Sequence, residues 1–306
     1  MRVLVTGGAG FIGSHVADAF LARGDDVLIV DDLSTGQKTN VPEGATFEQV
    51  DIADGNALEL GFASDPELVC HLAAQASVTV SVENPVLDCT SNVVGTLNVL
   101  EAARKRGAPV VFASTGGVLY GDGAPLPTPE DFSARPLSPY GASKLAGEAY
   151  VATWARLYGV PNVVLRLGNV YGPRQNPHGE AGVVAIFSGR LLDGEQPSLR
   201  GEGKPTRDYV YVADVASAFV AAAGGGRAGT YNVGTGRQTS TARLLDLLQE
   251  ATGSASEPQQ VALQPGELQA SALDVSLIER DLGWRPAVEL EEGLRTTLDW
   301  YRQTER

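Results

Sequence analysis

The chain has 306 residues, 43% of them hydrophobic and 20% charged, with a net charge of −14. That length holds one large or two modest domains with a real core, and the acidic balance argues against a nucleic-acid binder, because a phosphate backbone needs a basic face. Two cysteines, Cys70 and Cys89, fit a reducing, cytoplasmic compartment, while His15, His71 and His178 are too scattered to hold a metal.

A strand is predicted over 2–6, directly after Met1, which leaves no room for a cleaved leader. A helix follows over 11–23 and a strand over 27–30, ending in Asp31. A third short strand-like segment precedes Asp51. Two further apolar strands are read at 68–72 and 109–114, with a helical pattern over 86–106 between them. The next helix covers 139–158, with Ser138 as N-cap before Pro139. A buried strand follows at 162–167. No apolar run approaches the ~20 residues that span a bilayer, so no membrane partner is expected.

Beyond Gly172 the pattern loosens. Helices are expected over 182–192, 212–223, 241–251 and 288–302, and short strands over 207–211 and 230–233. Gly224-Gly225-Gly226 reads as a turn, and 251–260 as a polar, flexible connection. Repeated strand–helix units define the fold class: α/β, with a doubly wound parallel sheet of the Rossmann type. The expected division is a dinucleotide-binding domain over 1–171, to which some later segments return, and a smaller interleaved α/β lobe, mainly 172–306.

Gly7, Gly10 and Gly13 lie between the first strand and the first helix, where a nucleotide fingerprint needs a tight turn and close approach to a pyrophosphate. The helix start, Phe11 and Ile12, offers N–H groups and positive dipole to the phosphates. Asp31 ends the second strand 18 residues after Gly13, close to the roughly 20 expected of a ribose-binding acid. A carboxylate there repels a 2′-phosphate, and Lys38 is the nearest cation, so NAD is expected rather than NADP. Asp51-Ile52 is placed to flank the adenine.

Tyr140-Gly-Ala-Ser-Lys144 sets a phenol and an ammonium four residues apart, on one helix face. A phenol alone, with a pKa of about 10, is a poor base at neutral pH. The ammonium is expected to lower that pKa, so that the pair takes a proton from an alcohol while a nicotinamide takes the hydride.

An ordered series of segments carries a resemblance. It comprises Thr6-Gly-Gly-Ala-Gly-Phe-Ile-Gly-Ser-His15, Asp31-Asp-Leu-Ser-Thr-Gly36, Ser114-Thr-Gly-Gly-Val-Leu-Tyr-Gly121, Ser138-Pro-Tyr-Gly-Ala-Ser-Lys144, Leu165-Arg-Leu-Gly-Asn-Val-Tyr-Gly-Pro-Arg-Gln175 and Gly201 to Val215. Tyr231 to Gly236 and Leu282-Gly-Trp-Arg-Pro286 extend it. Nearly end to end, the chain resembles the extended short-chain dehydrogenase/reductases, and among them bacterial UDP-glucose 4-epimerases.

The resemblance implies Tyr140 as base, Lys144 on the nicotinamide ribose, Ser114 on the sugar hydroxyl and Thr115 assisting it. It implies that Asp32 joins Asp31 at the cofactor and that Asn92 supports the site from its helix. Asn169 and Arg207 match positions on the nucleotide diphosphate, and Gln264 stands where an arginine is common. Ser271 replaces a bulky tyrosine of some epimerases, so N-acetylated sugars are expected to fit. The implied substrate is a UDP-hexose, epimerised at C4 through a 4-keto sugar, and the implied assembly is a homodimer built on 86–106 and 139–158.

A sugar-nucleotide 4,6-dehydratase, or a decarboxylase resembling it, needs an acid–base pair where Gly116-Gly117 stand here. A UDP-glucuronate 4-epimerase and a reductase with exchangeable cofactor stay open, as does a silent NAD-binding sensor. The intact Ser114, Tyr140 and Lys144 argue against the sensor.

Overall fold

The computed structural model describes residues 1–177, 182–224, 227–263 and 268–304. The chain begins β1 (Arg2–Thr6), α1 (Phe11–Ala22), β2 (Asp26–Asp31), β3 (Thr46–Gln49), α2 (Gly55–Gly61) and β4 (Leu68–His71). It continues through α3 (Val78–Glu83), α4 (Pro85–Cys89), α5 (Gly95–Arg104), β5 (Val110–Thr115), α6 (Pro139–Tyr158), β6 (Val163–Leu167) and β7 (Asn169–Tyr171). Next come α7 (Val183–Leu192), β8 (Ser198–Arg200), β9 (Thr206–Arg207), β10 (Tyr209–Tyr211), α8 (Val212–Gly224) and β11 (Gly229–Val233). The last elements are β12 (Thr239–Ser240), α9 (Thr241–Thr252), β13 (Gln259–Val261), α10 (Ser276–Leu282) and α11 (Leu290–Thr304).

Seven parallel strands form the central sheet in the order β11-β6-β5-β4-β1-β2-β3. Their alternation divides the side chains between two cores. Val3, Val5, Ile29, Cys70, Val111 and Leu165 face one core, with Val16 and Phe20 of α1 and Phe219 of α8. Leu4, Val30, Val69, Val110, Phe112 and Val164 face the other, with Val99 and Leu100 of α5 and Val151 of α6. Each such fully buried aliphatic or aromatic side chain contributes about 1.5–3 kcal/mol. A third core joins α7, α9 and α11 through Phe187, Leu191, Leu244, Leu248, Leu294 and Leu298.

From β1 the chain runs to β2 on one side, and β4 lies on β1's other side. Such a switch point opens a crevice at the carboxyl ends of the strands, where ligands bind.

Three expectations change in the structure. The strand read over 207–211 is divided into β9, which pairs with β12, and β10, which pairs with β7. The helix over 86–106 is interrupted: α4 passes into a wide π-helical turn at Thr90–Val94 before α5. The connection over 251–260 is tethered, because Gln249 Nε2 donates to the Ser256 carbonyl at 2.6 Å and Gln259–Val261 pairs with β8. Gly225 and Gly226, read as a turn, lie outside the described residues.

Candidate active site

The turn after β1 is built for close approach. Gly7 has φ +71°, in the left-handed region, and a Cβ on Gly13 would lie 2.1 Å from the Gly7 carbonyl oxygen. The N-cap of α1 is Gly10, which offers no side-chain cap. The helix therefore presents its first N–H groups and its dipole to whatever anion lies there. Phe11 and Ile12 open that helix and are half-buried.

Asp31 is buried at the end of β2. Its Oδ2 accepts from Ala9 N at 3.0 Å and its Oδ1 from Leu33 N at 2.9 Å. Burial raises its pKa, and the backbone N–H groups oppose that rise. A carboxylate has about four acceptor sites, so the glycine turn leaves capacity for ribose hydroxyls. Asp32 is exposed, and its Oδ1 accepts from both the N–H and the hydroxyl of Ser34, at 2.9 and 2.7 Å. Asp51 is exposed and accepts from Ala53 N at 2.8 Å, whereas Ile52 is a core side chain against Gly95. Uncapped helix, close glycines and a free-sided carboxylate fit a dinucleotide.

The N-terminal end of α6 presents Tyr140 and Lys144. Ser138 caps this helix by accepting from Gly141 N at 3.2 Å. Lys144 is 4% exposed; its Nζ donates to the Ala113 carbonyl at 3.1 Å and lies 4.9 Å from the Phe112 ring centre. Burial pushes its pKa down to about 8, against the pull of Asp88 and Glu148. Tyr140 departs from expectation. Burial, with the Asp88 carboxylate second, pushes its phenol up to about 12. The direction is set by loss of water around the phenolate and not by the neighbouring ammonium.

Asn92 sits in the π-helical turn, 2% exposed. Its Nδ2 donates to Ser143 Oγ (3.0 Å), Asp88 Oδ1 (3.0 Å) and the Gln75 carbonyl (2.9 Å), and its Oδ1 accepts from Gln75 N (2.8 Å). Wide turns of this kind recur at functional sites. Here it aims an amide at α6, one residue from Lys144.

The Ser114-Thr115 pair divides differently from the expected roles. The Ser114 hydroxyl is buried and donates to Glu148 Oε1 at 2.5 Å, beneath the strand end. Thr115 is half-buried. A Cβ built on Gly117 would stand 3.4 Å from Asn169 Oδ1 and 3.9 Å from Thr115 Oγ1, so these two groups border one space.

Asn169 Oδ1 and Ser271 Oγ are buried without a hydrogen-bond partner among the described residues. Such atoms lose about 1–3 kcal/mol unless a ligand or water satisfies them. Arg207, half-buried on β9, donates to the Thr206 carbonyl at 2.8 Å, and Ser271 N donates to the same carbonyl at 3.1 Å. Gln264 lies outside the described residues.

The sequence reading passed over Asp208, Glu148 and Arg166. Asp208 is 1% exposed and accepts from Thr235 N, Thr235 Oγ1, Gly236 N and Leu273 N at 2.6–3.1 Å. It thereby ties together the segments that carry Arg207 and Ser271. A signal existed for Arg166: it is a lone charge inside an apolar strand. Among the described residues no cluster of His, Cys, Asp or Glu could hold a metal ion.

Fold and glycine turn together define a dinucleotide-dependent α/β enzyme. The chain belongs to the NAD dependent epimerase/dehydratase family, whose sequence pattern matches residues 3–234. It is 46% identical over 311 residues to the UDP-glucose 4-epimerase of Mycolicibacterium smegmatis, covering 99% of each chain. Among solved structures it resembles the UDP-glucose 4-epimerase of Thermotoga maritima, determined with UDP-glucose, with TM-score 0.98, 46% identity and full coverage of both chains. It also resembles that of Thermus thermophilus in complex with NAD, with TM-score 0.93, 49% identity and coverage of 99% of this chain and 100% of the other.

Proposed function

We propose that this protein is a UDP-hexose 4-epimerase that interconverts UDP-glucose and UDP-galactose. One observation carries the reading: Lys144, four residues from Tyr140 on α6, holds the Ala113 carbonyl of β5, two residues before Thr115, whose hydroxyl borders one space with Asn169. The similarity to enzymes named for that reaction supports it.

NAD, bound in its oxidised form, supplies a hydride acceptor and a positively charged ring. Tyr140 removes the proton of the 4-hydroxyl and later returns one, since the reaction inverts C4 with no net oxidation. Lys144 holds a positive charge below the phenol and favours the phenolate. Thr115 takes the role of hydrogen-bond partner to the sugar oxygen, in place of Ser114. Asn169 and Ser271 hold the nucleotide sugar by groups left unsatisfied among the described residues, and Arg207 and Gln264 serve the diphosphate. The division into an NAD-binding part over 1–171 and a sugar-nucleotide lobe mainly over 172–306 belongs to the same proposal.

The assembly proposed is a homodimer in the cytoplasm. Among the described residues, every exposed large apolar side chain except Met1 lies between Val78 and Val94 or between Leu137 and Tyr158. That clustering on α3, α4, the following π-helical turn and α6 supports a self-complementary face. Cys70 and Cys89 are unpaired, which suits a reducing compartment.

An NMR time course of the purified protein with UDP-galactose and no added reductant tests the reaction. UDP-glucose should appear and reach the same ratio when approached from either side. A protein loaded with NAD that leaves both sugars unchanged would rule the reading out.

A further inference from the structure

Tyr140, Lys144 and Glu148 follow one another at intervals of four on α6, so the three share one helix face. Glu148 is buried, as Lys144 is, and takes no part in the chemistry described above. Its Oε1 accepts the Ser114 hydroxyl at 2.5 Å, the length of a charge-assisted O–H···O⁻ bond. Arg166 of β6 grips the same carboxylate, with Nε at 3.0 and 3.1 Å from the two oxygens and Nη2 at 2.7 Å from Oε2. Glu148 is 5% exposed and Arg166 8%.

The other terminal nitrogen of the guanidinium is committed as well. Arg166 Nη1 donates to the Tyr120 hydroxyl and to the Glu130 carbonyl, both at 2.9 Å. Tyr120 in turn donates to Asn232 Oδ1 at 2.9 Å, and Asn232 Nδ2 reaches the Thr128 and Asp274 carbonyls at 2.9 and 3.0 Å. A densely bonded buried network of this kind is rigid. It is not explained by stability alone, because apolar residues of like volume often replace a buried ion pair without loss. Its location offers another reason. It grips the end of β5 from below, at the residue before Thr115, and ends at Asp274, next to the Leu273 that covers Gly116.

We propose that Glu148, clamped by Arg166, is a positioning residue: by holding the Ser114 hydroxyl beneath the strand end it fixes Thr115 at the sugar, in register with Tyr140 and Lys144. The proposal rests on the epimerase reading above. A small displacement of a reacting group can lower turnover by about 10²-fold, so loss of the clamp should appear in kcat and leave KM nearly unchanged.

The test is the double variant E148M/R166M, in which both charges leave together. It should fold with a melting temperature near that of the wild type and keep KM for UDP-galactose within about threefold. Its kcat should fall at least about tenfold. A purely structural pair would restore stability and turnover alike, so a folded double variant with kcat within about twofold of wild type overturns the proposal. If the double variant does not fold, S114A decides: lowered kcat at unchanged KM supports the clamp, and unchanged kcat overturns it. An inert wild-type protein would remove the epimerase reading and this proposal with it. An active wild type beside an undiminished variant removes the proposal alone.

Discussion

Leu273 occupies the space that a side chain on Gly116 would need: a Cβ built on Gly116 would lie 2.6 Å from Leu273 Cδ1. Leu273 is buried, and its N–H is held by Asp208 Oδ2 at 3.1 Å. An acid at Gly116, of the kind an elimination requires, therefore has no room unless this segment moves. Gly116→Ala is expected to destabilise the protein by about 1–3 kcal/mol through overpacking, and Leu273→Ala in the same chain should recover part of that loss. Thermal unfolding of the two single variants and the double variant measures the coupling. Strictly additive effects would show that the two positions do not compete for space.

Lys144 makes the active site costly to fold. Its pKa, lowered from 10.5 to about 8 by burial, means that the unfolded chain binds this proton more tightly than the folded one. Between those values the unfolded state carries more protons, so this group's contribution to stability improves as pH rises from about 8 to about 10.5 and is unfavourable below that window. The full shift corresponds to about 3 kcal/mol. Lys144→Met is thus expected to abolish turnover yet raise the melting temperature at pH 7, with the gain shrinking above pH 8. A variant that melts lower than wild type at pH 7 would contradict this.

How far the sequence revealed the site can be argued residue by residue. The strands of the sheet were legible because buried runs such as Val27–Val30 are bounded by turn residues, and the glycine turn because its spacing has a physical requirement. The burial of the Ser114 hydroxyl was within reach: in β5, Phe112 and Ser114 share a face by the period of two, and that face packs on α6. The partners of Arg166 were not legible, since nothing local specifies a carboxylate 18 residues earlier or a tyrosine 46 residues earlier. The π-helical turn around Asn92 was hidden because one added residue per turn barely alters the apolar pattern. The direction of the Tyr140 shift depends on burial, which a sequence motif does not carry.

Asp31 serves the fold and the cofactor with one carboxylate. It accepts the Ala9 and Leu33 N–H groups and shapes the glycine turn, and its remaining acceptor sites suit ribose hydroxyls. Asp31→Asn exchanges a charged acceptor for a neutral amide. Hydrogen bonds to charged groups contribute about 1.5–3 kcal/mol, so NAD affinity should fall about 10- to 100-fold. Repulsion of a 2′-phosphate should fall as well, narrowing the preference for NAD over NADP. Titration of both cofactors by calorimetry measures the two effects, and an unchanged ratio of affinities would show that Asp31 does not read the 2′ position.

The apolar face on α3, α4 and α6 yields the remaining prediction. Val86 is 74% exposed, Leu157 64% and Val82 62%, values unusual for such side chains on one side of a protein carrying a net charge of −14. Burying aliphatic side chains of this size against a second copy contributes about 1.5–3 kcal/mol each at most. A charge placed there must be desolvated or leave a gap in the interface. Val86→Glu combined with Leu157→Glu adds four negative charges to a two-fold face, and the copies should separate. Sedimentation at micromolar concentration should show a dimer for the wild type and a monomer for the variant, with an unchanged circular dichroism spectrum, since neither position belongs to the three cores. A wild-type monomer would refute the dimer, and a dimeric variant would place the contact on another face.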